Sequence, residues 1–141
     1  MCKRWSVLVA ATSLLLGCGE PTGGSIDLVI GTIDAGGTLD EVITGPTSGS
    51  VGERLPFTVS TFGNSCVAAA GADVVVQDLE ATVTPYDHEN RGATCLDYLK
   101  AYPRPVTVIF DRAGDATIRV QGRSFYQSGL VTVEHRVTVA P

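Results

Sequence analysis

Val131-Thr132-Val133-Glu134-His135-Arg136-Val137-Thr138-Val139 alternates without a break. Four valines and a histidine fall on one face; Thr132, Glu134, Arg136 and Thr138 fall on the other. A period of two is the mark of a strand with one face in a core and one in water. With two residues left after Val139, this strand is expected to be pinned into a sheet. Upstream, Ala116, Ile118 and Val120 alternate with Thr117, Arg119 and Gln121, and Val106, Val108 and Phe110 alternate with Thr107 and Ile109. Asp111-Arg112-Ala113-Gly114 between these two runs reads as a hairpin connection, and Gly122–Gly129, with Phe125 and Tyr126, reads as a loop.

The same pattern extends toward the N-terminus. Leu79, Ala81 and Val83 alternate with Glu80, Thr82 and Thr84 up to Pro85; Leu55, Phe57, Val59 and Thr61 alternate with Pro56, Thr58, Ser60 and Phe62. Pro56 suits an edge position or the start of a strand. Three successive valines in Asp73–Gln77 predict a buried strand, Ile26–Ile30 a first strand, and Leu39–Thr44 a short second one. Turns or loops are expected at Gly36-Gly37, Gly45–Ser50, Gly63-Asn64 and Tyr86–Thr94. Leu96, Leu99 and Tyr102 fit one or two helical turns, ended by Pro103 and Pro105. The sum is seven or eight short strands and no long amphipathic helix, hence an all-β chain. An antiparallel β-sandwich is expected, with a small closed barrel as the alternative.

The other end of the chain differs. Lys3 and Arg4 precede a ten-residue run, Val7–Leu16, broken only by Thr12 and Ser13, and Leu15-Leu16-Gly17-Cys18 follows. The run is too short to cross a bilayer, which takes about 20 apolar residues, and no Ala-x-Ala-like site follows it. Residues 1–19 resemble the lipobox signal peptide of bacterial lipoproteins. The resemblance implies removal of residues 1–17, a diacylglycerol on the Cys18 sulfur and, in many Gram-negative species, a third acyl chain on its amine. Position 19 is Gly rather than the Asp that commonly retains lipoproteins at the inner membrane, which by that family's rule favours the outer membrane. Membrane lipid is then the first partner, reached through Cys18. Glu20–Ser25 completes a flexible tether over 18–25, and 26–141 form the domain.

On that reading the mature chain has 124 residues, enough for one core. Eight basic residues face fifteen acidic ones, a formal −7. An acidic surface disfavours nucleic acid and anionic head groups. Cys2 leaves with the signal and Cys18 carries lipid, so Cys66 and Cys95 remain in an oxidising compartment and are expected to join. Neither sits in a Cys-x-x-Cys pair or near a histidine in sequence, which disfavours a metal or redox role.

Val51-Gly52 leading into Leu55–Val59, and Phe110–Gly114 leading into Ala116-Thr-Ile-Arg-Val120, resemble bacterial immunoglobulin-like domains over residues 50–140. The resemblance implies a two-sheet sandwich. The core Trp of antibody domains has no counterpart here, since Trp5 is the only tryptophan. Fold resemblance carries little about function.

Chemistry is sparse. Gly-x-Ser-x-Gly, Gly-x-Gly-x-x-Gly and His-Glu-x-x-His do not occur, and only His88 and His135 could serve as a base. His135 lies on the apolar face of its strand, where packing is the ordinary role. Asp87-His88-Glu89 has zinc-ligand chemistry, but on an extended strand His88 points away from its neighbours; a solvated turn is the plainer reading. Asp34, Asp40 and Glu41 around Gly36-Gly37 offer calcium ligands without matching an EF-hand. Tyr86, Tyr98, Tyr102, Phe125 and Tyr126 all fall in expected irregular segments, as a binding surface or as packing for long loops. The expectation is therefore a non-enzymatic envelope domain without a cofactor, binding an envelope protein or a glycan or serving structure. The alternatives are a small metal-dependent hydrolase around Asp87, His88 and Glu89, and a protease inhibitor presenting Tyr86–Thr94.

Overall fold

Leu130–Ala140 is the last of ten strands in a computed structural model that describes residues 24–36 and 42–141. Val137 and Val139 are buried, Val131, Val133 and His135 share their face, and Thr132, Glu134, Arg136 and Thr138 are exposed. The strands are β1 (Ser25–Ile30), β2 (Thr32–Asp34), β3 (Ile43–Thr44), β4 (Ser48–Ser50), β5 (Leu55–Gly63), β6 (Val67–Gln77), β7 (Glu80–Arg91), β8 (Lys100–Val108), β9 (Gly114–Ser124) and β10 (Leu130–Ala140). Cys18, Asp40, Glu41 and the signal-like segment lie outside the described residues.

The strands form two sheets. The smaller has the order β3-β5-β8 and is antiparallel. The larger runs β1-β7-β9-β10-β4, with β6 also on β7 and β2 also on β9. Its expected antiparallel character holds for β9–β10, β1–β7 and β6–β7; β7–β9, β2–β9 and β4–β10 are parallel. Alternation reports which face is buried and is silent on the direction of a partner, so the mixed sheet was not readable from it.

One core lies between the sheets. Leu55, Phe57 and Val59 of β5 and Val106 and Val108 of β8 meet Ala81 and Val83 of β7, Ile118 and Val120 of β9, and Val137 and Val139 of β10. Burying each such large aliphatic or aromatic side chain contributes about 1.5–3 kcal/mol. His135 packs its ring edge-on to Phe57, centroids 5.6 Å apart, and a ring nitrogen lies 3.0 Å from the Pro46 carbonyl.

Five local expectations need correction. Ser48–Ser50 is strand β4, not loop, because its pairing with β10 uses backbone alone. Val74–Val76 are exposed, because β6 pairs with β7 on one side only among the described residues. Tyr86–Arg91 continue β7, held between β1 and β6, so the expected loop shrinks. Asp111–Gly114 is not a hairpin, since β8 and β9 belong to different sheets. The helical turns over Leu96–Tyr102 are absent; Lys100 already begins β8, which continues through Pro103 and Pro105. Both prolines are tolerated because β8 is an edge of its sheet. Opposite Pro103, the Ser60 N–H donates to the Val42 carbonyl on the other side of β5. Pro103, and Pro105 two residues on, therefore turn their missing N–H away from the ladder.

Candidate ligand-binding cleft

The core becomes polar at one end. On β5 the inward series Leu55, Phe57, Val59 ends in Thr61; on β7 Ala81, Val83, Pro85 ends in Asp87; on β8 Val108 and Val106 are preceded by Arg104. The directions of the strands bring these three polar positions together. Arg104 Nη2 donates to Asp87 Oδ1 at 2.7 Å and to Thr61 Oγ1, and the Thr61 hydroxyl donates to the same carboxylate oxygen at 2.8 Å. Arg104 also donates to the carbonyls of Gly71, Tyr86 and Tyr102. Asp87 is 1% and Arg104 5% exposed. Such a pair is tolerated only when nearly every donor and acceptor is matched.

Gly31 packs against this cluster. It links β1 to β2, its N–H donates to the Pro85 carbonyl, and its carbonyl accepts from Arg123 N–H. A Cβ here would collide with the Thr61 methyl and lie 2.8 Å from Asp87 Oδ2. Glycine is what permits the approach.

Beyond the cluster opens a cavity of about 480 Å³. Thr32, Phe62, Asp87 and Glu89 line it, with Asp97, Tyr98 and Leu99 from one segment and Arg123, Ser124, Phe125 and Tyr126 from another. Each segment is tied down. Cys66 and Cys95 are joined with Cα atoms 5.4 Å apart, as expected from the sequence, and Leu96 N–H donates to Ser65 Oγ at 2.7 Å. On the other side Ser124 Oγ donates to Asp34 Oδ2 at 2.6 Å, Phe125 N–H to the Asp34 carbonyl, and Tyr126 O–H to the Ala35 carbonyl. Phe125 and Tyr126 nonetheless remain 54% and 68% exposed.

Two lining groups have unmet hydrogen-bonding capacity. Glu89 Oε2 and Arg123 Nε are both buried atoms without a hydrogen-bond partner among the described residues. The carboxylate approaches Arg123 Nη2 only to 3.6 Å, an ion pair beyond hydrogen-bond length. A buried donor and acceptor left unmet cost free energy.

The structure sorts the sequence candidates. Tyr98, Phe125 and Tyr126 converge on the cleft with Asp87 and Glu89. Tyr102 instead packs beneath it, its phenol donating to the Asn64 carbonyl; burial raises its pKa above the ordinary 10, with Tyr98 and Asp87 adding to the effect. Tyr86 sits on β7 beside Asp73, whose hydrogen bond raises the phenol's pKa. His88 is exposed and points away from Asp87 and Glu89, so these three do not gather around one point. Asp34 is engaged by Ser124 and by Gly36 N–H. Among the described residues no three His, Cys, Asp or Glu side chains are arranged to hold a metal ion. Thr61, Arg104 and Arg123 escaped the sequence reading, although a polar residue closing an inward apolar series was the available signal for the first two. No family model, no curated protein and no solved structure matches this chain.

Proposed function

We propose that this protein is a lipid-anchored, non-enzymatic binding domain of the bacterial cell envelope, and that its cleft takes a hydroxyl-rich ligand of the glycan class. The observation that carries the reading is the cleft itself. Two chain segments place exposed aromatic rings around a cavity whose wall holds the part-exposed Glu89 carboxylate and Arg123 guanidinium. Ring faces suit the C–H faces of a sugar, and a mixed donor–acceptor pair suits a hydroxyl, which is both. The lining charges leave one net negative: Asp87 is paired with Arg104 and Glu89 lies against Arg123, while Asp97 has no ion pair among the described residues. That balance favours a neutral ligand over an anionic one.

The anchor rests on the lipobox resemblance of Leu15–Cys18. An immunoglobulin-like arrangement is supported by β3-β5-β8 forming one sheet while β9 and β10 adjoin in the other, as the first, second and fifth and the last two strands do in that fold. The parallel neighbour β7 departs from it.

Two experiments test the proposal. Cys18→Ser should move the protein from the membrane fraction to the soluble one; retention on membranes would contradict the anchor. In calorimetric titration with soluble oligosaccharides from envelope glycans, the wild type should bind, and Glu89→Gln and Tyr126→Ala should each weaken binding about tenfold, near 1.4 kcal/mol. No binding across the panel, or variants that bind like the wild type, would contradict the site.

A further inference from the structure

β6 is a long, exposed apolar edge among the described residues. It pairs with β7 alone; Val75 is 55% exposed and Val74 and Val76 are 37% each. Long apolar edges are ordinarily blunted by lysine, proline, an inward charge or a bulge. β6 contains no lysine or proline, and Asp73 is its single charge. Its one irregularity is the register shift between Ala69 and Gly71, which leaves Ala72–Gln77 regular.

The hairpin fixes which backbone groups face outward. Gln77 stands opposite Glu80 across the two-residue turn Asp78-Leu79. Residues closing a two-residue turn form a hydrogen-bonded pair, so Gln77, Val75 and Asp73 bond to β7, and Ala72, Val74 and Val76 turn their N–H and C=O groups away from it. We propose that this free edge pairs antiparallel with the same edge of a second copy of the chain, about a two-fold axis at Val75.

The position of the axis follows from charge and face. Antiparallel self-pairing that keeps the outward groups in step puts the axis at Val76, Asp73, Val74 or Val75, and an axis at Val76 sets Val75 against Gln77. An axis at Asp73 sets two carboxylates opposite each other. An axis at Val74 sets each carboxylate against Val75. An axis at Val75 sets Asp73 against the amide of Gln77, Val74 against Val76, and Val75 against its own copy. Only this last register gives each carboxylate a donor and each valine an apolar partner. The edge is thus complementary to itself, which selects a second copy over an unrelated strand.

The test uses the full chain carrying Cys2→Ser and Cys18→Ser, with Val74, Val75 or Val76 replaced singly by cysteine. Opposed side chains in a non-hydrogen-bonded antiparallel pair have Cβ atoms near 4.5 Å, within reach of a disulfide. Under mild oxidation Val75→Cys should give a covalent dimer on a non-reducing gel. Val74→Cys and Val76→Cys should give at least tenfold less alone, and a heterodimer when mixed. In sedimentation at about 100 µM, suited to a small interface, the parent chain should be dimeric. Val75→Lys, which opposes two ammonium groups, should be monomeric with an unchanged melting temperature. A monomeric parent, equal cross-linking at all three positions, or a dimeric Val75→Lys variant would overturn the proposal.

Discussion

Replacing Arg104 by methionine should be among the most damaging single changes this domain can undergo. The side chain ties β8 to β5, β6 and β7 through four acceptors and bonds a fifth, the Tyr102 carbonyl, on its own strand; its loss leaves Asp87, 1% exposed, with the Thr61 hydroxyl as its remaining donor. Removing one member of a buried ion pair costs about 3–5 kcal/mol, because the other charge stays desolvated and unpaired. We take about 4 kcal/mol, since the carbonyls at the partly exposed ends regain some hydration. For a domain of this size that lowers the melting temperature by about 15 °C. The double variant Arg104→Met/Asp87→Leu removes both charges and should recover about 2 kcal/mol of the loss. Urea denaturation followed by circular dichroism measures both, and an unchanged m-value assigns the difference to stability. A loss below 1 kcal/mol for the single variant, or a double variant at least as unstable as the two single losses summed, would refute the reasoning.

Other expectations follow from the same geometry. Cys66→Ser opens a 29-residue separation and should cost about 3.5 kcal/mol in the chain-entropy account; an unchanged melting temperature would contradict it. Gly31→Ala forces its methyl against Thr61 and Asp87 and should destabilise by about 1–3 kcal/mol, measurable in the same urea assay. Tyr102 should titrate above the ordinary tyrosine range, because burial favours the neutral phenol. Its folded-state pKa exceeds the unfolded value, so its contribution to stability should be constant below pH 10 and be lost as pH rises above it. Denaturation midpoints across that range, with Tyr102→Phe as the control that lessens the slope while Tyr86, also raised, keeps its part, check the sign.

Much of the fold could be read from alternation because that signal reports burial directly. Leu55–Thr61, Ala116–Val120 and Val131–Val139 face the core as their spacing requires. The failures share one cause. Ser48–Ser50 carries no apolar pattern, and its strand exists because β10 offers a backbone edge. Val74–Val76 looks buried from composition, yet its exposure depends on which strands flank β6. Pro103 and Pro105 stop a helix but not an edge strand. Tertiary pairing decided each case. The site divides similarly. Tyr98, Phe125 and Tyr126 were open to selection as aromatics in irregular segments, but nothing local brings residues 97–99 beside 123–126; the disulfide and the β2–β9 pairing do that. Arg104 drew no reading between its two prolines, and its partner Asp87 read as part of a solvated turn or, alternatively, of a zinc-ligand set.

The central claim is that two separated segments form one site for a hydroxyl-rich ligand. An amide-resolved NMR titration with envelope oligosaccharides tests it most directly. Resonances of Glu89, Tyr98, Arg123, Phe125 and Tyr126 should move together and saturate with one affinity, while those of β4 and the C-terminal half of β10 stay still. Shifts confined to one segment, scattered over both sheets, or absent at saturating sugar would contradict the account.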